Sequence, residues 1–156
     1  MKKRIISILL AVVLMMASVV TALANDARVL LDGYFLEVNG VIVEGRTLLP
    51  VRALSEAVGG EVDWDGELRQ VTVTYEKTVI LLTIDSHTAY VNGVAELLDV
   101  PALIIDGSTF LPLRFIGENL GLAVSWVQEP PTAILRSPNS PFTDEQLGEM
   151  ALTGER

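Results

Sequence analysis

One stretch of this sequence occurs twice, 62 residues apart, and it limits the possible folds more than any other feature. The first copy reads Gly45-Arg-Thr-Leu-Leu-Pro-Val-Arg-Ala-Leu-Ser-Glu-Ala-Val-Gly59, and the second reads Gly107-Ser-Thr-Phe-Leu-Pro-Leu-Arg-Phe-Ile-Gly-Glu-Asn-Leu-Gly121. Each is followed by a Val-x-Trp triplet that ends at Trp64 or Trp126. Over the 29 aligned positions from 36 to 64, 12 residues are identical. The pattern predicts a tandem of one supersecondary unit.

Each copy predicts a short helix bounded by a proline and a glycine. Pro50 and Pro112 suit a first helical position, where the missing N–H costs nothing, and Gly59 and Gly121 suit the stop just past the helix. Apolar residues spaced three and four apart share one face of each helix, which we expect to be buried. These residues are Val51, Leu54 and Val58 in the first copy, and Leu113, Ile116 and Leu120 in the second.

Turn signals divide the rest of the chain into short strands. Asp32-Gly33 and Asn92-Gly93 lie between apolar runs and predict hairpins, because a type I′ turn requires positive φ at both central residues. Gly45 and Gly107 each follow an acidic residue and predict a further turn in each copy. A last hairpin is predicted across Glu76-Lys77, although this turn lacks the preferred glycine.

Residues 1–24 have the pattern of a secretory signal peptide. A basic start at 2–4 precedes an apolar run over 5–20 and an Ala-Leu-Ala cleavage site at 22–24. An uncleaved anchor is disfavoured, since the apolar run is short of the ~20 residues that a span requires. We therefore expect export, cleavage before Asn25 and no membrane segment afterwards.

Composition argues against nucleic acid as a partner and excludes disulfide bonds as a source of stability. Without the signal peptide, 8 basic residues stand against 20 acidic ones, a formal charge of −12, whereas binding to nucleic acid phosphates requires a basic surface. The chain contains no cysteine, so an exported protein of this size must be held together by its core.

Residues 137–156 begin with a linker-like Ser-Pro-Asn-Ser-Pro run and continue as a tail that we expect to be disordered or weakly docked, although Thr143 starts a capping-box pattern for a short helix.

Two pairs of charged residues are candidates for binding. Arg52 and Glu56, like Arg114 and Glu118, are four positions apart and so lie on one helix face, where they could grip a carboxylate, a sugar or a partner chain. The alternative, which we favour here, is structural: the arginines tie strand carbonyls or the glutamates to the helix start and lock each helix onto the sheet.

Other candidate sites have weaker support. Trp64 and Trp126 could stack on sugars, but their alternation with valines favours core positions. The acidic run 63–67 has some likeness to a calcium loop but lacks its other ligands, so a turn is the better interpretation. Asp85-Ser86-His87 has the residue types of a catalytic triad, but adjacent side chains on a strand point to opposite faces. No catalytic or metal site is predicted.

The doubled motif, with its Val-x-Trp ending, resembles the copper amine oxidase N-terminal-like domain, also called the stalk domain, of secreted and cell-surface bacterial proteins. The resemblance covers about residues 29–136. It implies an α+β fold in which an antiparallel sheet wraps around helices, and a module that is usually joined to other domains and has no general biochemical activity established. The oxidase's copper-containing catalytic domain is not represented. Copper binding by this chain is disfavoured independently, because after cleavage it offers one histidine, His87, one methionine, Met150, and no cysteine.

Taken together, the sequence predicts a secreted, non-enzymatic α+β module over residues 25–136. Its antiparallel strands pack around two short helices in two pseudo-repeats, at about 29–75 and 88–136, and it requires no cofactor. The expected role is binding or scaffolding at the cell envelope, with a cell-wall polysaccharide or another envelope protein as ligand. Two alternatives remain open: an accessory or inhibitory module that acts with a separate secreted enzyme, and self-association through an uncovered strand edge.

Overall fold

The computed structural model of the chain describes residues 26–154, so the predicted signal peptide at 1–24 lies outside the described residues. Within that range the chain forms thirteen strands and three short helices. In chain order, the strands are β1 (Asp26–Leu31), β2 (Tyr34–Phe35), β3 (Gly40–Val43), β4 (Arg46–Pro50), β5 (Glu61–Asp65), β6 (Gln70–Tyr75), β7 (Thr78–Thr83), β8 (Thr88–Val91), β9 (Val94–Leu97), β10 (Leu103–Ile105), β11 (Ser108–Pro112), β12 (Ala123–Val127) and β13 (Thr132–Arg136). The helices are α1 (Val51–Ala57), α2 (Leu113–Asn119) and α3 (Asp144–Thr153). This sheet-rich mixture confirms the α+β class.

The strands form two sheets of eight and five strands. The larger has the order β10-β11-β4-β3-β1-β13-β12, with β2 paired to β1, and the smaller has the order β5-β6-β7-β8-β9. The expectation of a wholly antiparallel sheet is wrong, because β1 and β13 run parallel, with Val29 opposite Ala133. Parallel neighbours cannot be joined by a tight turn. The two strands come from opposite ends of the described chain, which is why this pairing left no local turn signal.

The two doubled stretches meet at the pair β4 and β11. These strands are antiparallel, with Leu49 opposite Leu111, Leu48 opposite Pro112 and Pro50 opposite Phe110. Since equivalent positions are 62 apart, exchanging the two strands leaves this register unchanged. This symmetry does not extend to every strand. In the five-stranded sheet β7 lies between β6 and β8, whereas the strands at the equivalent positions 62 residues away, β13 and β1, pair directly.

The acidic-glycine and asparagine-glycine turns form as predicted. Both central residues have positive φ at Asp32-Gly33 (46° and 84°) and at Asn92-Gly93 (49° and 82°), and the turns before β4 and β11 are alike. Positive φ at both positions matches the right-handed twist of the flanking strands. The β6 to β7 hairpin also forms, with positive φ at Glu76.

Helices α1 and α2 end as predicted but begin one residue later than predicted. Gly59 N–H donates to the Glu56 carbonyl and Gly60 N–H donates to the Ser55 carbonyl. These are the two hydrogen bonds that define a Schellman motif. Gly121 and Leu122 repeat it on α2. Pro50 and Pro112, however, are N-cap residues with extended ψ values of 118° and 114°, not first helical residues. Each proline is also the last residue of its strand, so strand and helix meet without a loop.

The main core lies between the two sheets and beneath α1 and α2. It includes the predicted helix residues Leu54 and Ile116, together with Val73, Ile80 and Leu135 from both sheets. The helices are only seven residues long and would not be stable in isolation, so this burial keeps them folded.

The C-terminal segment differs from the prediction of a disordered or weakly docked tail. Helix α3 packs on the face of β1 and β13 that points away from the main core, and its Leu147 and Ala151 are fully buried against Leu30 and Ile134. Its predicted capping box is present: Gln146 N–H donates to the Thr143 hydroxyl, and Thr143 N–H donates to the Gln146 side chain. The tail is therefore a docked part of the fold.

Candidate functional site

The predicted charged pairs lie on the exposed faces of α1 and α2. The nearest nitrogen and oxygen are 4.0 Å apart in Arg52 and Glu56, and 3.8 Å apart in Arg114 and Glu118. All four side chains are more than half exposed. Neither guanidinium donates to a strand carbonyl in the described part of the chain, so that form of the favoured interpretation is wrong, whereas each arginine does lie beside the glutamate one turn along its helix. Exposed pairs at this separation contribute little to stability, so both arginines are available to an external ligand.

Of the two tryptophans that were expected in the core, Trp64 departs from that prediction and Trp126 meets it in part. Trp64 is 44 % exposed, and Trp126 is half-buried against the main core. Trp64 is on β5, an edge strand, and lies opposite Val71 of β6. Its indole therefore has strand neighbours on one side only. A half-exposed indole offers a flat apolar surface and one N–H donor to a ligand.

Trp64 and Arg52 line the same groove, which we name the Trp64 groove and whose volume is about 550 Å³. Six of its residues come from the first copy of the doubled stretch and the strands that follow it: Pro50, Val51, Arg52, Val62, Trp64 and Val71. The other four come from the second copy: Ile104, Gly107, Ser108 and Thr109. The turn between β10 and β11 thus faces the start of α1, and neither copy forms this groove alone.

Trp126 and Arg114 line a second groove of about 640 Å³, which we name the Trp126 groove. Here the second copy supplies Pro112, Leu113, Arg114, Val124, Trp126 and Ala133. The first copy supplies Ile42, Gly45, Arg46 and Thr47, from β3, β4 and the turn between them. Asp99, Ser125 and Gln128 complete the lining.

Each groove carries one arginine whose charge no carboxylate in the lining offsets. The Trp64 groove is lined by Arg52 and by no acidic residue. In the Trp126 groove, Asp99 lies 2.7 Å from Arg46, so Arg114 likewise has no acidic partner in the lining, and its ion-pair partner Glu118 lies 3.8 Å away outside the lining. Each groove therefore presents an exposed guanidinium that is only loosely paired with a carboxylate outside the lining, and such a group can bind an anionic ligand.

The other polar constellations noted in the sequence are accounted for by local structure. Asp85 pairs with Arg69 at 3.1 Å, the Ser86 hydroxyl accepts from Thr88 N–H, and His87 Nδ1 lies 3.0 Å from the Leu98 carbonyl. The acidic run at 63–67 comprises the end of β5 and the start of the turn to β6, where the Asp65 carboxylate accepts from two backbone N–H groups. Within residues 26–154, no group of three or more histidine or acidic side chains is arranged to hold a metal ion.

The sequence did not lead us to predict the residues that line each groove from the other copy. Thr47 and Thr109 bring a hydroxyl, and Ile42 and Ile104 bring an apolar surface. One signal was present: all four are among the identities between the copies, although they lie outside the predicted helix and have no evident turn role.

The most exposed apolar residues outside the grooves lie on strand β9. Leu97 is 84 % exposed and Val94 is 65 % exposed, and β9 is the last strand of the five-stranded sheet. An open edge of this kind presents unpaired backbone groups to another chain.

Comparison with known proteins yields a family match. Residues 26–135 match the family model described as copper amine oxidase N-terminal domain, which agrees with the resemblance drawn from the doubled motif. No curated protein matches the chain. Among the described residues, no helix is long and apolar enough to cross a membrane. The family match ends just before the segment that leads into α3.

Proposed function

The chain belongs to the copper amine oxidase N-terminal domain family, which is named after a non-catalytic domain of those oxidases, and we propose that it is a secreted binding module at the cell envelope. Export is supported by the signal-peptide pattern at 1–24, and a binding role by the grooves. The observation that carries the proposal is the placement of an accessible indole and an exposed arginine in the lining of the Trp64 groove. A half-exposed tryptophan in a groove offers apolar area to a ligand, and tryptophan is enriched among the residues that contribute most to binding at interfaces.

The module acts by holding a ligand, and the same fold arranges this twice. The two pseudo-repeats predicted from the sequence supply complementary parts of both grooves, so folding of the whole unit creates the binding surface. We propose that the ligand is a component of the cell wall or another envelope polymer. The indole gives the contact area, while the arginine gives orientation and charge selectivity.

Co-sedimentation tests this proposal. The mature chain, residues 25–156, is mixed with insoluble cell-wall and polysaccharide preparations, and the bound fraction is measured. We expect retention by the natural sequence and loss of most of it in the double variant Trp64→Ala/Trp126→Ala. The control is Leu97→Ala, which removes a highly exposed apolar side chain outside both grooves. No retention on any preparation would refute the function, and equal retention by the double variant would refute the site.

A second candidate function is an accessory or inhibitory module that acts with a separate secreted enzyme. The exposed edge strand β9 favours it, because a partner's strand could extend the five-stranded sheet there. Leu97→Lys would then abolish co-purification of that partner while leaving polysaccharide retention intact. Light scattering coupled to size exclusion distinguishes such a complex from self-association through the same edge.

A further inference from the structure

The two grooves are equivalent position by position. Every one of the ten residues that line the Trp64 groove has its counterpart, 62 positions away, in the lining of the Trp126 groove. Arg52 corresponds to Arg114, Trp64 to Trp126 and Val71 to Ala133, while the borrowed residues correspond in the opposite direction, as Thr109 does to Thr47. The copies thus exchange roles between the grooves, as expected if an approximate two-fold axis passes between Leu49 and Leu111.

The shared residues define one ligand chemistry. Each groove combines an indole, a guanidinium and a threonine hydroxyl. The indole can stack on an apolar ring face, the guanidinium can pair with a carboxylate, and the threonine can form hydrogen bonds with hydroxyl groups. A sugar ring that bears a carboxylate presents all three. The acidic partners of the arginines, Glu56 and Glu118, are 4.0 and 3.8 Å away and largely exposed, so a ligand carboxylate can displace them.

We propose that the chain carries two equivalent grooves for an acidic glycan, so that it binds two repeating units of such a polymer. The inference rests on the proposed binding function and names its ligand class and its stoichiometry. A repeating ligand is the natural partner of a repeated groove, because the second contact forms within an already bound complex and raises the overall affinity.

The chain supplies its own reporter for each groove, because its two tryptophans are divided between them. In Trp64→Phe, the remaining fluorescence comes from the Trp126 groove, and in Trp126→Phe it comes from the Trp64 groove. The probe is a tetrasaccharide of alternating glucuronic acid and N-acetylglucosamine, and its neutral counterpart is the tetrasaccharide of N-acetylglucosamine. We expect a saturable change in tryptophan fluorescence with the acidic probe in both single-tryptophan variants.

The arginines provide the specific test. Adding Arg114→Ala to Trp64→Phe, or Arg52→Ala to Trp126→Phe, should weaken binding of the acidic probe by about tenfold or more, since charge-assisted hydrogen bonds are lost. The matched control is Arg69→Ala, which removes a similarly exposed arginine that pairs with Asp85 outside both grooves, and it should leave the affinity unchanged.

The outcomes separate this inference from the proposed function. A response in only one groove overturns equivalence, and equal affinity for the neutral probe overturns the acidic class. Equal competition by a polyglutamate peptide would assign the grooves to a polypeptide partner instead. If neither variant responds to the acidic probe while the natural chain still co-sediments with cell wall, the inference fails and the function stands. If co-sedimentation fails as well, both fail.

Discussion

At the scale of single residues, Asp32 shows how one side chain joins two distant parts of the chain. It is the first residue of the β1 to β2 turn, with φ of 46°, and its carboxylate accepts from the Ser137 backbone N–H at 2.9 Å. Burial raises the pKa of Asp32, but hydrogen bonds from Ser137 and Ser140 and the charge of Arg136 together outweigh that effect and hold the pKa below its usual value. The carboxylate therefore anchors the linker that leads to α3.

This lowered pKa predicts a pH dependence of stability. A carboxyl group with a depressed pKa in the folded state contributes stability above its unfolded-state pKa of about 4, and that contribution is lost as pH falls through the folded-state value. The melting temperature of the natural chain should therefore fall more steeply between pH 5 and pH 2.5 than that of Asp32→Asn. Asparagine keeps an acceptor and tolerates the left-handed backbone, so the comparison isolates the charge.

The control for this experiment is Asp63→Asn, which removes the same charge from the exposed side of β5. Its acid-range slope should match that of the natural chain. If Asp32→Asn and Asp63→Asn have the same slope, the anchoring role of the Asp32 carboxylate is wrong.

At the scale of elements, α3 decides how the two faces of β1 and β13 are covered. Along β1, Val29 and Leu31 face the main core, whereas Leu30 faces α3. Along β13, Ala133 and Leu135 face the core and Ile134 faces α3. A run of consecutive apolar residues is typical of a strand that is buried on both faces. The sequence therefore carried evidence that something covers the outer face of these strands.

Two leucines of α3 test whether the helix is docked. Leu147 is fully buried and Leu152 is 58 % exposed, so the same substitution has different consequences at the two positions. Leu147→Ala should lower the free energy of unfolding by about 3 kcal/mol, through lost burial and the cavity left behind. Leu152→Ala should change it by no more than about 0.5 kcal/mol.

Chemical denaturation followed by circular dichroism measures both variants. Since both replace leucine by alanine in one helix, differences in helix propensity cancel. Equal and small effects would support the weakly docked tail that the sequence predicted.

At the scale of the whole molecule, the two copies depend on each other for their strand partners. Strand β1 pairs with β13, β4 with β11, and β7 with β8, so the sheets and the main core combine both halves of the chain. A half-chain would expose the apolar faces that these contacts cover. The duplication in sequence is thus not a division into two folding units.

Fragments test this dependence. We expect residues 25–86 and residues 87–156, produced separately, to show no cooperative unfolding transition by circular dichroism, because each lacks the partners of its central strands. An equimolar mixture should regain native-like ellipticity and a sharp transition. A cooperative transition in either fragment alone would show that the copies fold independently.

The sequence by itself determined the features that depend on neighbours along the chain. The I′ turn at Asp32-Gly33, the helix stop at Gly59 and the buried face through Leu54 follow from backbone conformations and spacings that act within a few residues, and all three are present in the structure. The family, too, was readable from the doubled motif and is confirmed over residues 26–135.

Only the tertiary structure decided which distant segments meet. It placed β1 beside β13, docked α3 over Leu30 and brought Thr109 to the groove of Trp64. It also left that tryptophan half exposed, where alternation with Val62 had favoured the core. These outcomes depend on the packing of surfaces far apart in sequence, and period-two or helical spacing reports only the side on which a residue lies. The two grooves belong to this class, because each is completed by residues from the other copy.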